Sequence, residues 1–138
     1  MSDGPVGWPQ RGVHRVLGAA SSVAGELAGR GWEVALVPPS ATDAGLWDGL
    51  VDALGLPGWF GRNLDALDEA LGDRVRPTAL VLAGWTAYAR ARPERWEGLL
   101  DVLQARAAHP DRSLVVLLAD EVHRAGVLPR SRPVRGAR

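Results

Sequence analysis

Residues 78–83, Thr-Ala-Leu-Val-Leu-Ala, together with residues 113–119, Ser-Leu-Val-Val-Leu-Leu-Ala, decide the fold. Both runs are apolar at consecutive positions, whereas a strand with one wet face would alternate, so both faces of each strand must be covered. A parallel sheet between helices meets that demand. Trp32 to Val37 (WEVALV) is a third such run, closed by Pro38-Pro39, and Val13 to Leu17 is a candidate fourth strand at the edge. Between these runs the apolar period lengthens from two residues to about 3.6. Val23, Ala24, Leu27 and Ala28 recur at helical spacing before Gly29-Arg30-Gly31. Leu46, Trp47, Leu50, Val51 and Leu54 do the same behind a Thr42 or Asp43 cap, and Gly55 ends them. A helix from about Asn63 to Leu71 follows, with Leu64, Leu67 and Leu71 on its inner face. Pro93 opens the longest stripe, Trp96, Leu99, Leu100, Leu103 and Ala107, and His109-Pro110 closes it. Strands alternating with amphipathic helices predict an α/β domain with a small parallel three-stranded sheet, four-stranded if the N-terminal segment joins it. The domain is expected over residues 13–120, with its core in 32–119. The Gly- and Pro-rich residues 1–12 read as a flexible arm, and the Arg- and Pro-rich residues 121–138 as a disordered tail.

At 138 residues the chain has the size of one domain. It contains no cysteine, which excludes disulfides and thiolate metal sites and fits a reducing cytoplasm. No run reaches the roughly 18 apolar residues of a membrane span, and residues 1–12 lack the apolar core of an export signal. A cytoplasmic protein with no membrane segment is expected. The 16 acidic and 16 basic residues cancel over the whole chain but not locally. Between Asp43 and Arg74 the acids Asp43, Asp48, Asp52, Asp65, Asp68, Glu69 and Asp73 face only Arg62 and Arg74, while every charge from Arg124 onward is an arginine.

The acids concentrate on one helix. Asp65, Asp68 and Glu69 stand at i, i+3 and i+4, opposite the leucines, and Asp73 lies two turns beyond Asp65. Like charges at that spacing cost a helix roughly 0.2–0.5 kcal/mol per pair, so folding does not select them. The helix dipole accounts for Asp65 in the first turn but not for Glu69. Immediately before this helix, Pro57-Gly58-Trp59-Phe60-Gly61 places two aromatics between turn residues, and aromatics beside a charged patch have the composition of a protein interface. Of the pair, Phe60 is expected to face the core and Trp59 to make contact. Trp47 and Trp96 sit on apolar stripes and are expected in the core.

The segment Leu56 to Leu71, LPGWFGRNLDALDEAL, resembles the barstar family of ribonuclease inhibitors. The shared pattern is a Leu-Pro turn, two aromatics, Gly-x-Asn, then Asp-Ala-Leu and a further acid on one helix. The strand and helix order from Trp32 to Ala119, with Trp85 after the middle strand, extends the resemblance. It implies a barstar-like fold and an inhibitor, not an enzyme, whose helix and preceding loop enter the active site of a small secreted or toxin-type ribonuclease in a complex of about one to one. Barnase and barstar are themselves the reference case of electrostatically steered binding, so that mechanism comes with the resemblance. It assigns partner contact to Trp59, Phe60, Asn63, Asp65 and Glu69, and the rest of the acidic face, Asp68 and Asp73, joins them. Asp68 stands where the archetype has a tryptophan, Glu69 is one methylene longer than the usual aspartate, and Ala105 aligns with an acid on the last helix, with Asp101 one turn earlier as a substitute.

No cofactor or metal is expected. His14, His109 and His123 are far apart and share no helix face with an acid at ligand spacing. No Gly-x-Ser-x-Gly elbow or phosphate-binding glycine loop occurs. A rival reading makes Asp65, Asp68, Glu69 and Asp73 a Mg2+ or general acid/base site, but one helix face without ligands from a second element makes a poor cage. Another rival gives the tail arginines Arg124, Arg130, Arg132, Arg135 and Arg138 to RNA; no stacking aromatic accompanies them. A different basic toxin, met by an immunity protein or antitoxin, would select the same helix. The free protein is expected to be a monomer.

Overall fold

A computed structural model describes residues 12–109 and 114–120, and the backbone of residues 131–133. The elements in chain order are β1 (Gly12–Leu17), α1 (Ala20–Gly29), β2 (Glu33–Val37), α2 (Asp43–Leu54), α3 (Leu64–Gly72), β3 (Thr78–Ala83), α4 (Trp85–Ala91), α5 (Pro93–Ala107), β4 (Leu114–Asp120) and β5 (Ser131–Pro133). The sheet runs β2-β3-β4-β1-β5, with the first four strands parallel and β5 antiparallel to β1.

The register explains the continuous apolar runs. Ala35, Leu80, Val116 and Val13 pair across one row and face α2, α3, α4 and α5. The next row along, with Val81 and Leu117, belongs to the core on the opposite face, where α1 contributes Ala20, Val23 and Leu27. The central strands β3 and β4 are thus covered on both sides, as parallel sheets require. Local chemistry sets the helix ends: the Thr42 hydroxyl accepts the Gly45 N–H at 3.0 Å, and Gly55 closes α2 in the left-handed conformation at φ 66°.

One feature bears out the sequence reading and two add to it. The candidate N-terminal strand is a full member of the sheet, because β4 offers it a free edge and Val13 and Val16 have a core on either face. The tail expected to be disordered supplies Ser131–Pro133, which pairs with His14–Val16 and covers the edge that β1 would otherwise leave open; residues 121–130 and 134–138 of that tail, like the arm at 1–11, lie outside the described residues. Helix α4 was not expected. It has no side-chain cap and buries one residue, Tyr88. Gly84 precedes it at φ 54°, where a Cβ would lie 2.7 Å from Pro39 Cβ. Distant partners hold it: Trp85 Nε1 donates to Asp120 at 2.7 Å, and Tyr88 O–H donates to Asp43 at 2.6 Å.

Tyr88 gives this network a spectroscopic handle, since it is the only tyrosine. Burial, then the hydrogen bond to Asp43 and that carboxylate's charge, push the phenol up from 10.0 to about 12. Because the folded value is the higher, the stability contributed by the neutral phenol is complete below pH 10 and is lost as pH rises towards 12. Ultraviolet titration should give a midpoint near 12 for native protein and near 10 in denaturant. A native midpoint near 10 would mean that Tyr88 is neither buried nor bonded to Asp43 as described.

Candidate functional site

Asn63 starts α3. Its Oδ1 accepts the Ala66 N–H at 2.8 Å while its Nδ2 donates to the Gly61 carbonyl at 3.1 Å, so one side chain both caps the helix and shapes the preceding loop. Arg62, just before it, takes a left-handed φ of 51°, and its guanidinium bonds Asp48 on α2 at 2.7 Å. In that loop Phe60 is half-buried and packs on Trp47 with ring centroids 6.2 Å apart, whereas Trp59 is 86 % exposed. The aromatic pair is therefore divided between core and surface.

Leu67 and Leu71 are buried on the inner face of α3. Opposite them Asp65 and Glu69 are exposed, and Asp73 is exposed at the C-cap. Among the described residues these three carboxylates form no ion pair. Asp68 differs. It turns towards α5 and accepts a hydrogen bond from Arg106 Nε at 3.0 Å. The guanidinium of Arg106 covers the last turn of α3, where a Cβ on Gly72 would come within 2.9 Å of Arg106 Cζ. The four acids expected on one face thus separate into three without an ion pair among the described residues and one, Asp68, that is paired with α5 while its side chain stays 46 % exposed. Asp101 and Ala105 are both exposed on α5.

Beside the N-terminus of α3 lies a cleft of about 310 Å³, with Leu46, Trp47, Leu64 and Leu99 among its walls. In it Asp43 takes the Tyr88 hydroxyl at 2.6 Å and Arg95 at 3.0 Å, and Arg92 approaches the same carboxylate at 3.7 Å. Among the described residues no three His, Asp or Glu side chains converge to hold a metal ion. The acids on α3 point outward from one helix, a geometry suited to meeting cations on another molecule. Arg106 and the Arg62–Asp48 pair were absent from the sequence reading. Their partners lie 38 and 14 residues away, and no local spacing marks them.

The Barstar family model, described as barnase inhibitor, matches residues 39–119, more than half of the chain. The chain belongs to the barstar family. The matched span contains the aromatic loop, α3, Arg106 and strands β3 and β4, and leaves out β1, α1 and β2. Barstar domains are inhibitors of barnase-type ribonuclease and not enzymes. No curated protein matches the chain in sequence. Among the described residues no helix is long and apolar enough to cross a membrane.

Proposed function

We propose that this chain binds a small cationic ribonuclease, secreted or toxin-type, in a one-to-one complex in the cytoplasm and blocks its active site without chemistry of its own. The observation that carries this is the row Asp65, Glu69 and Asp73: exposed, without ion pairs among the described residues, and set beside an 86 % exposed tryptophan, Trp59. Carboxylates spaced along α3 imitate the phosphates that the enzyme's basic groups hold. Glu69 and Asp65 supply the principal charges, Trp59 the apolar anchor, and Asn63 and Phe60 fix the loop that presents it. Asp68, paired with Arg106, acts as a positioning residue between α3 and α5.

The test is titration of the purified chain into a panel of small microbial ribonucleases. At least one enzyme should lose its turnover at one molar equivalent. The association rate should fall steeply as ionic strength shortens the Debye length to about 8 Å and below. Full turnover of every enzyme in the panel with a stoichiometric excess of the chain counts against the reading.

A further inference from the structure

The two edges of the sheet are finished differently. On the β1 side Ser131–Pro133 supplies a covering strand, whereas on the other side β2 ends the sheet, with β3 as its one neighbour among the described residues. Helix α1 packs on one face of β2 and α2 on the other, so what stays open is its hydrogen-bonding edge.

The direction of each backbone group along that edge follows from one bond. Glu33 N–H donates to the Pro77 carbonyl at 2.9 Å, so Glu33, Ala35 and Val37 turn their N–H and C=O towards β3. Val34 and Leu36, between them, turn theirs outward. An unpaired row of this kind is a template for another strand, and proteins usually blunt it with charge, a bulge or proline. Neither outward residue is charged. Leu36 is 38 % exposed, one of three exposed large apolar side chains among the described residues, and Val34 lies on the same face of the strand.

The open stretch has defined ends. Just before it, Trp32 N–H already donates to the Leu27 carbonyl at 3.1 Å; just after it, Pro38 has no N–H to offer. The free donors are therefore those of Val34 and Leu36. A second β2, antiparallel and related by a twofold axis through Ala35, fits them: Val34 of each copy pairs with Leu36 of the other, and every outward N–H meets a carbonyl. Moving the axis by one residue brings Leu36 against Trp32 or Val34 against Pro38, and a bond is lost either way. The side chains agree with the same register. Leu36 of one copy lies beside Val34 of the other, apolar against apolar, while Glu33 falls opposite Val37, so the two carboxylates stand at opposite ends of the pairing. Each is held besides by its own Arg74 at 3.1 Å.

We infer that the free protein self-associates through β2, its partner a second copy of this chain, to form one continuous sheet across both. A concentration-dependent dimer thus takes the place of the monomer expected from the sequence. The inference is independent of the inhibitor reading and compatible with it: the pairing uses no residue of α3 or of the loop before it, so each copy still offers its acids, one ribonuclease to each chain. A five-residue strand pair buries less than the roughly 1,200 Å² of a standard interface, so association is expected at micromolar concentrations and above.

The experiment is sedimentation of the full chain at rising concentration, with amide hydrogen exchange followed residue by residue at both ends of the series. A reversible dimer should form, and in it the Val34 and Leu36 amides should pass from fast exchange to protection, while Ala35 and Val37, bonded to β3, are protected throughout. Leu36→Lys puts a charge on the edge and should weaken association about tenfold or more, with the circular dichroism of the dilute protein unchanged because the side chain is on the surface. A chain still monomeric at about 1 mM overturns the inference, as does association that Leu36→Lys leaves unaltered or a dimer whose Val34 and Leu36 amides exchange freely. Protection of both amides in the dilute monomer would mean that other residues of this chain cover the edge, and protection that appears only with an inhibited ribonuclease would give the edge to that enzyme. Either result overturns the pairing of two copies.

Discussion

Glu69→Arg is expected to abolish ribonuclease inhibition while leaving the domain folded and no less stable. Glu69 is exposed, buries nothing in the core and has no ion pair among the described residues, so the folded state loses no contact. It stands four residues from Asp65 and four from Asp73. An arginine there turns two like-charge pairs into two attractive ones, each worth roughly 0.2–0.5 kcal/mol to the helix. The complex responds in the opposite sense. Removing one partner of a desolvated charge pair costs about 2–5 kcal/mol, and a cation facing cations adds repulsion to that. A combined loss of about 4 kcal/mol or more corresponds to at least a thousandfold weakening, since about 1.4 kcal/mol is tenfold. Inhibition assays at several inhibitor concentrations, beside circular dichroism and thermal melts, measure both effects. Inhibition within about tenfold of the unsubstituted chain would remove Glu69 from the contact.

The elements legible in the sequence are those specified by nearby residues. The apolar runs in Thr78–Ala83 and Leu114–Asp120 read as buried parallel strands because they are short, rich in valine and leucine, and alternate with longer amphipathic segments. Thr42, one of the two cap candidates for α2, is recognisable because the N–H group it satisfies is three residues away. Helix α4 was missed because its seven residues carry no apolar stripe or capping side chain; what stabilises it arrives from Asp43 and Asp120, 45 and 35 residues distant. The same limit applies within the site. The spacing of Asp65, Asp68, Glu69 and Asp73 predicts one acidic face, and of these Asp68 is paired with Arg106 across the α3–α5 contact. Charge spacing shows which side chains share a helix face; which of them gain an ion-pair partner depends on the neighbouring helix, and that is a tertiary fact.

Leu67→Ala is expected to be the most destabilising change in α3, lowering the unfolding free energy by about 3 kcal/mol. Leu67 is 0 % exposed, on the face of α3 opposite the acids, so truncation removes apolar contacts and opens a cavity beneath the helix. Against the 5–15 kcal/mol typical of a domain, that is a large share. The site depends on it because α3 has nine residues, too few to be helical alone in water; the acids keep their spacing only while Leu67 and Leu71 hold the helix to the core. Urea unfolding followed by tryptophan fluorescence should show a lower midpoint with an unchanged slope. A loss below about 1 kcal/mol would mean that α3 is not seated as described. The two substitutions then separate core from contact. Leu67→Ala leaves every carboxylate in place, so a ribonuclease in excess should raise its midpoint by mass action, since it binds the folded state alone. Glu69→Arg should gain nothing from the same addition, because its fold is sound and its contact is gone. Rescue of the second variant, or none of the first, would show that the acidic face of α3 is not where the ribonuclease binds.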